Sequence, residues 1–244
     1  MKTRKQFFGL IAIAIISTAI IVLPLAGCKD EPEPQPVPDP TPTFTSVANF
    51  KAWLDAQPAN TAATTYHVKL NVSDLGGNNE TAGSLGNALY TNPTKYVSLN
   101  LSGSTLASFA NGAFYHCTSL TSITIWNGTT HTGMATFNGC TSLTSVTIPS
   151  SITSLGYNLF YGCTSLTSVT IPSSITALGD GAFGNCTSLT SVRFEKADLT
   201  FSSTGEDPSF IDVTNSASLK TAYTGGGIGT YTRPNTTSTT WTKS

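Results

Sequence analysis

Charge is what this chain of 244 residues has least of. Asp, Glu, Lys and Arg together make up 10% of it and nearly cancel, leaving a net charge of −1 at pH 7. Soluble domains carry about 25% charged residues, so serine and threonine must supply most of the surface polarity. No run of Lys or Arg follows Lys5, and a near-neutral chain lacks the basic footprint that nucleic-acid binding requires. Histidine is limited to His67, His116 and His131. His116 adjoins Cys117, the one arrangement that suggests a nucleophile beside its base. Neighbours on an extended segment point opposite ways, however, and no Asn or Asp stands by to orient the ring. There is no paired-carboxylate motif, no phosphate loop and no HExxH. GGGIG (Gly225 to Gly229) lacks the lysine of a phosphate loop and reads as a turn. These gaps lead us to expect no enzyme, no cofactor and no metal.

Long apolar text occurs once. Lys2, Arg4 and Lys5 precede FFGLIAIAIISTAIIVLPLAG, which ends at Gly27 before Cys28. About 20 apolar residues could span a bilayer, which leaves an uncleaved anchor as the alternative. Leu25-Ala26-Gly27-Cys28 resembles the lipobox of bacterial lipoproteins, and the resemblance implies a signal peptide over 1–27 and lipidation of Cys28. A diacylglyceryl group, with its two chains, would hold the protein on its membrane. The following residues to Thr43 carry proline at almost every second position, which favours an extended polyproline tether of about 45 Å. Cys28-Lys29-Asp30-Glu31 also resembles a short export signal of lipoproteins displayed on the outer face of the outer membrane; simple solvation of the tether is the alternative.

Repetition governs the rest. GCTSLTSVTIPSSIT runs from Gly139 to Thr153 and again from Gly162 to Thr176. Cys117, Cys140, Cys163 and Cys186 stand 23 residues apart, as 140 − 117, 163 − 140 and 186 − 163 all show. Phe114, Phe137, Phe160 and Phe183 keep the same step. So do Leu120, Leu143, Leu166 and Leu189, and the column Ile123, Val146, Val169 and Val192. Within a unit, the pair Val146 and Ile148 has the period of a strand with one buried face. A period in the low twenties with L-x-x-L-x-L spacing is a leucine-rich-repeat signature, one coil of a solenoid whose apolar residues are buried by stacking on neighbouring coils. Leu143, Val146 and Ile148 should point inward from the strand, with Ile152, Leu155 and Phe160 filling the core from the returning side. Pro149 fits a strand end, since it cannot donate to a ladder.

The text CTSLTSVTIPSSIT-x-L-G-x-x-x-F resembles the BspA-like leucine-rich repeat family of bacterial surface proteins over roughly Leu85 to Thr200. WNGTTHTGMAT (Trp126 to Thr136) and RFEKADLTF (Arg193 to Phe201) depart from it, and we expect those coils to be irregular on their outer side. The resemblance implies a β-rich solenoid on a surface lipoprotein, and an adhesin binding a host or neighbouring-cell protein or glycan.

The flanks extend this plan. Ser46 is a candidate N-cap for a helix through Gln57 with Val47, Phe50, Trp53 and Leu54 on one face. HVKLNV (His67 to Val72) reads as a first strand, and Tyr96, Leu99 and Leu101 as a second. SLKTAYTGGGIGTYTR (Ser218 to Arg233) reads as a last coil with a strand near residue 222, and TTWTK (Thr239 to Lys243) as part of a hairpin. Together these give about seven coils and a parallel sheet about 30 Å long. The expected organisation is signal peptide 1–27, lipidated Cys28 and tether 28–43, N-terminal cap of helix and strand 44–88, repeats 89–200, and last coil with C-terminal hairpin-like cap 201–244.

The four repeat cysteines should stack as a column. Disulfides of an oxidising envelope or a thiolate metal site are possible uses of such a column, but one cysteine per coil makes no compact tetrahedral site, and buried thiols serve as small hydrophobes. On the strand face, Ser122, Ser145, Ser168 and Ser191 should form one outward row and Thr124, Thr147, Thr170 and Arg193 another. A solvated strand surface accounts for such rows; so does a concave binding surface. Trp126 and Arg193 break the uniformity and are residue types favoured at interface hot spots. Two other functions fit the same text: an envelope spacer without a ligand, and an ice- or crystal-surface binder using the Ser/Thr rows.

Overall fold

The structure, a computed structural model, describes residues 41–199, 216–238 and 240–244. The expected signal peptide, Cys28 and most of the tether lie outside the described residues.

The first element among the described residues is a strand the sequence did not announce. β1 (Thr43–Phe44) takes in the last residue of the expected tether and pairs in parallel with β2 (Tyr66–Leu70) through Thr43↔Lys69 and Phe44↔Leu70. Helix α1 (Val47–Ala56) follows, its Ser46 Oγ accepting from the Asn49 N–H at 3.2 Å. That bond satisfies one of the orphan donors of a helix start. Phe50 and Leu54 are fully buried, and Val47 and Trp53 pack partly against the core. Phe44, Phe50, Trp53 and Tyr66 form one aromatic cluster, with ring centroids 5.4 to 6.3 Å apart.

The strands β1, β2, β3 (Val97–Asn100), β4 (Leu120–Thr124) and β5 (Ser145–Thr147) form one parallel sheet in chain order. The register steps by a whole coil, as in Ser122↔Ser145 and Ile123↔Val146. Between β3 and β4 it slips, Val97 facing Leu120 while Ser98 faces Ser122. This bulge absorbs the one extra residue of that coil, so Val97, fully buried, takes the first inward position and Tyr96 is left half-buried. β6 (Ser154–Leu155) and β8 (Ala177–Leu178) pair in parallel on the return side of their coils. β7 (Ser168–Ile171) pairs in parallel with β9 (Ser191–Phe194) at the same step. The hydrogen-bonded ladder is interrupted between β5 and β7, where Val146 is only partly buried.

Each coil is held from behind by two stacks. Phe114, Phe137, Phe160 and Phe183 lie ring over ring, with centroids 5.3 to 5.4 Å apart and planes 5° to 18° from parallel. Beside them, the thiols of Cys140, Cys163 and Cys186 donate to the carbonyls of Phe114, Phe137 and Phe160 of the preceding coil, at 3.1 to 3.2 Å. The N–H of the cysteine in the same coil reaches the same carbonyl, as Cys140 N–H does to Phe137 at 3.2 Å. Each of these carbonyls thus serves both its own coil and the next. Cys117 donates to Gly86 at 3.4 Å, in helix α2 (Leu85–Tyr90), which occupies the return side before the first full repeat. All four cysteines are free and buried. Burial pushes the thiols of Cys117 and Cys186 up from 9.0 to about 12 and those of Cys140 and Cys163 well above 9.0.

The return turns require two left-handed residues per coil. Gly112, Ala135, Asn158 and Gly181 form one such column, with φ between 52° and 67°, and His116, Gly139, Gly162 and Asn185 the other, between 53° and 71°. Glycine and asparagine visit that region at least cost, whereas Ala135 holds it against its Cβ.

One expectation holds in part and another is corrected. The coil from Trp126 to Thr136 stays outside the β6–β8 pair on its outer side, but it keeps the turn of its neighbours: Thr129 N–H closes on Trp126 C=O at 3.1 Å as Ile152 closes on Pro149 and Ile175 on Pro172. Thr129 is fully buried in the place of those isoleucines, and its hydroxyl donates to Leu106 C=O at 2.9 Å. A buried threonine with its hydroxyl bonded fills a β-branched site, and His131 still bridges to Ser108 on the outer side. The strand expected near residue 222 is instead part of helix α3 (Ser216–Gly226). Leu219 and Tyr223, one helical turn apart, are both buried, a spacing that a strand could not bring to one face. β10 (Gly229–Thr232) then runs antiparallel to β9, and β11 (Thr242–Lys243) antiparallel to β10. The parallel stacking of coils therefore ends at β9.

Candidate binding face

Alternation along each strand sorts its residues. Val68, Leu99, Ile123, Val169 and Val192 point into the core, and their neighbours point out. The register aligns the outward residues into rows. Ser122 with Ser145 and, past the break in the ladder, Ser168 with Ser191 make one, and Thr124 with Thr147, then Thr170 with Arg193, the next; Ser145, Ser168 and Ser191 line one groove. Both rows run on beyond the strict repeats. His67 and Ser98 precede the serines, Lys69 and Asn100 precede the threonines, and Thr232 and Thr230 of β10 continue past Ser191 and Arg193. His67, Lys69, Ser98 and Asn100 were not singled out in the sequence, although the alternation of Val68 and Leu70 already turns His67 and Lys69 outward. No Asp or Glu stands in either row.

Three grooves mark this face. One of about 300 Å³ lies where the short turn Ala62–Thr64 overhangs the sheet, with His67, Ser98, Ser122 and Ser145 on its floor. Another of about 300 Å³ is lined by Ser145, Ser168, Thr170, Ser191 and Arg193. A third, about 350 Å³, sits at the strand ends between Thr147, Thr170, Pro172 and Glu195. Ser98 and Ser122 hydroxyls are 2.6 Å apart across β3 and β4. Arg193 Nε donates to Glu195 at 3.2 Å, both side chains being well exposed, so the pair is easily exchanged for another partner.

Trp126 sits just beyond β4. It is half-buried, and its indole lies so close over Gly128 that a Cβ there would come within 2.1 Å of the ring. The cysteine column is not part of the face; it lies in the interior of the return side. His116 and Cys117 do not converge: the imidazole lies tilted against the Tyr115 ring, centroids 4.3 Å apart, and over Gly139, while the thiol turns inward to Gly86. Among the described residues no group of His, Cys, Asp and Glu could hold a metal ion, and no helix is long and apolar enough to cross a membrane. The face can therefore offer hydroxyls, an amide, an imidazole and two cations to a partner, and no reacting group assembled for chemistry.

A family model described as the BspA type leucine rich repeat region, in 6 copies, matches residues 83–205. Among solved structures the chain is similar to a leucine-rich repeat protein from Bacteroides ovatus ATCC 8483, with 32% identity over 42% of this chain and 26% of that one and a TM-score of 0.38. It is similar also to a leucine rich cell surface protein from Faecalibacterium prausnitzii A2-165, with 25% identity over 43% of this chain and 35% of that one and a TM-score of 0.38. The leucine rich repeat protein of T. pallidum shares 26% identity over 40% of this chain and 58% of its own, with a TM-score of 0.31. The chain thus covers less than two thirds of the length of each of these structures. No curated protein matches it.

Proposed function

The chain belongs to the BspA-type leucine-rich repeat family, and from that premise we propose that it is a surface-tethered interaction module, an adhesin whose ligand is held on the outward face of the sheet. The observation that carries this reading is the pair of outward rows, aligned by register from β2 to β5 and again from β7 to β10 on either side of the break in the ladder, polar throughout and free of carboxylates. Solenoids present such faces to partners. On the same reading, 1–27 is a lipoprotein signal peptide, Cys28 carries the lipid, the proline-rich tether stands the domain off the outer membrane, and the protein faces outward. Helix α1 with its aromatic cluster serves as the N-terminal cap, and α3 with the β10–β11 hairpin as the C-terminal one, each covering an end that a further coil would otherwise bury.

The test is adherence of cells displaying the full chain to host-cell monolayers and to neighbouring bacteria. Ser145→Trp puts a large side chain in the middle of an exposed face without touching the core. Loss of adherence at unchanged surface display is the expected result. Adherence that survives Ser145→Trp would overturn the face reading, and no adherence by the wild type would leave the envelope-spacer reading in its place.

A further inference from the structure

The nature of the ligand can be narrowed from the grooves themselves. The two grooves of about 300 Å³ share Ser145, so they join into one trough that crosses the strands from β2 to β9. At about 4.8 Å per strand step, the trough is roughly 24 Å long. Its lining is mostly Ser and Thr, with Ala62 and Ala63 at one lip and Val146 and Val169 between the hydroxyls further along. No Phe, Tyr or Trp lines either groove, and neither does any Asp or Glu. Protein partners are gripped through Trp, Tyr and Arg anchors in well-packed pockets, and serine is depleted from their interfaces. This trough has no pocket for an apolar anchor and is built from the depleted residue type.

Its chemistry suits a ligand that is itself made of hydroxyls. Each Ser or Thr can donate one hydrogen bond and accept two, which matches sugar hydroxyls in any rotamer. The charge distribution adds a second requirement. His67 of β2 lines one end, with Lys69 two residues further along the same outward side of the strand, and Arg193 of β9 lines the other end. Glu195 lies beyond the end of β9, in the strand-end groove that adjoins this trough at Val146 and Thr170, and is attached to Arg193 only by an exposed contact. Cations at both ends of a hydroxyl floor are complementary to acid groups spaced along an extended chain, since charge-assisted bonds to carboxylate or sulfate are stronger than neutral ones. Resting on the face reading above, we propose that the trough binds a linear acidic polysaccharide laid across the strands, with its hydroxyls on the Ser/Thr rows and its acid groups at Lys69 and His67 and at Arg193.

The experiment measures binding of fluorescein-labelled polygalacturonate, heparin and neutral dextran to the full chain in detergent micelles at low and high salt. The expected result is binding of at least one acidic polymer and not of dextran, weakened by salt as screened charges must be. Lys69→Ala with Arg193→Ala should lower the affinity at least tenfold, Ser145→Trp should abolish it, and Lys51→Ala, away from the trough on α1, should leave it unchanged. Equal binding of dextran, no binding of either acidic polymer, or undiminished binding by the double variant would overturn the proposal. The two readings separate through Ser145→Trp. If it abolishes cell adherence while no acidic polysaccharide binds the wild type, the face stands and the ligand class falls, an extended peptide becoming the ligand. If it leaves adherence intact, the face itself falls.

Discussion

Within the coils from Phe114 to Cys186, and again between Thr187 and Thr236, the chain must satisfy polar backbone groups at the side of a coil, and it does so by different means. In the repeats the donor is neutral and short, a thiol reaching the Phe carbonyl of the preceding coil. At the C-terminal side the column of thiols has ended, and Arg233 takes over. Nearly buried, it donates through Nε to Leu189 C=O at 2.7 Å, and through its two terminal nitrogens to Thr236 at 2.9 Å and Thr187 at 3.1 Å. Its guanidinium carbon lies 5.4 Å from the centre of the Trp241 ring. A copy can meet a copy with a small fixed group, because the distance is always the same. An end without a copy needs one long side chain with donors in several directions, which the planar guanidinium provides.

Alkali should divide the two regions most sharply. Burial holds the folded thiols of Cys117 and Cys186 at about 12 and those of Cys140 and Cys163 well above their ordinary value of 9.0, so the folded state holds protons that the unfolded state releases. Stability is fully present below pH 9 and falls as pH rises from there towards 12, by about 1.4 kcal/mol per thiol per pH unit. Urea unfolding at pH 8, 9.5 and 10.5 should show this slope, and replacing Cys140 and Cys163 by Val should roughly halve it. A slope unchanged by those substitutions would show that the thiol column is not what alkali attacks.

Arg233→Met keeps the apolar stem and removes every donor. It should cost about 2–4 kcal/mol in chemical denaturation, since buried acceptors lose charge-assisted bonds. A cost below that of Cys163→Ala would mean that the end is held by the hairpin and not by the guanidinium. Cys163→Ala should itself cost about 1–2 kcal/mol, and Cys163→Val, which restores volume but no donor, separates the cavity from the hydrogen bond. If Val recovers the whole loss, the thiol is only a space filler. The smallest effect has the opposite sign. Ala135→Gly relieves a left-handed alanine and should stabilise by up to about 1 kcal/mol, visible as a modest rise in Tm; a fall would show that the turn is not strained there.

What could be read in the sequence follows the same division. The inward Leu, Val and Ile columns, the phenylalanine column and the cysteine column were legible because identical neighbours must bury each other alike. Helix α1 was legible from Ser46 and the spacing of Phe50 and Leu54. The C-terminal closure was not. α3 and β10 meet the repeats only once, so no period marks them, and the Gly-rich stretch after Tyr223 reads equally as a turn between strands. The left-handed columns were present as Gly and Asn sharing positions, but Ala135 and His116 broke the pattern that would have named them. On the face, the Ser and Thr rows and Arg193 fall where alternation puts them. His67, Lys69 and Asn100 escaped notice because they lie in coils whose text no longer repeats, though their strands do.

The shared Phe carbonyl has a consequence for descent. Phe114, Phe137 and Phe160 each accept from their own coil's cysteine and from the next coil's, so at the ring and thiol stacks the joint between any two of these coils is the same. Losing or gaining a whole coil leaves every remaining joint intact, while losing one or two residues displaces each ring and thiol behind the break. The length of the sheet face can therefore change in single steps of one coil without a new core having to be found.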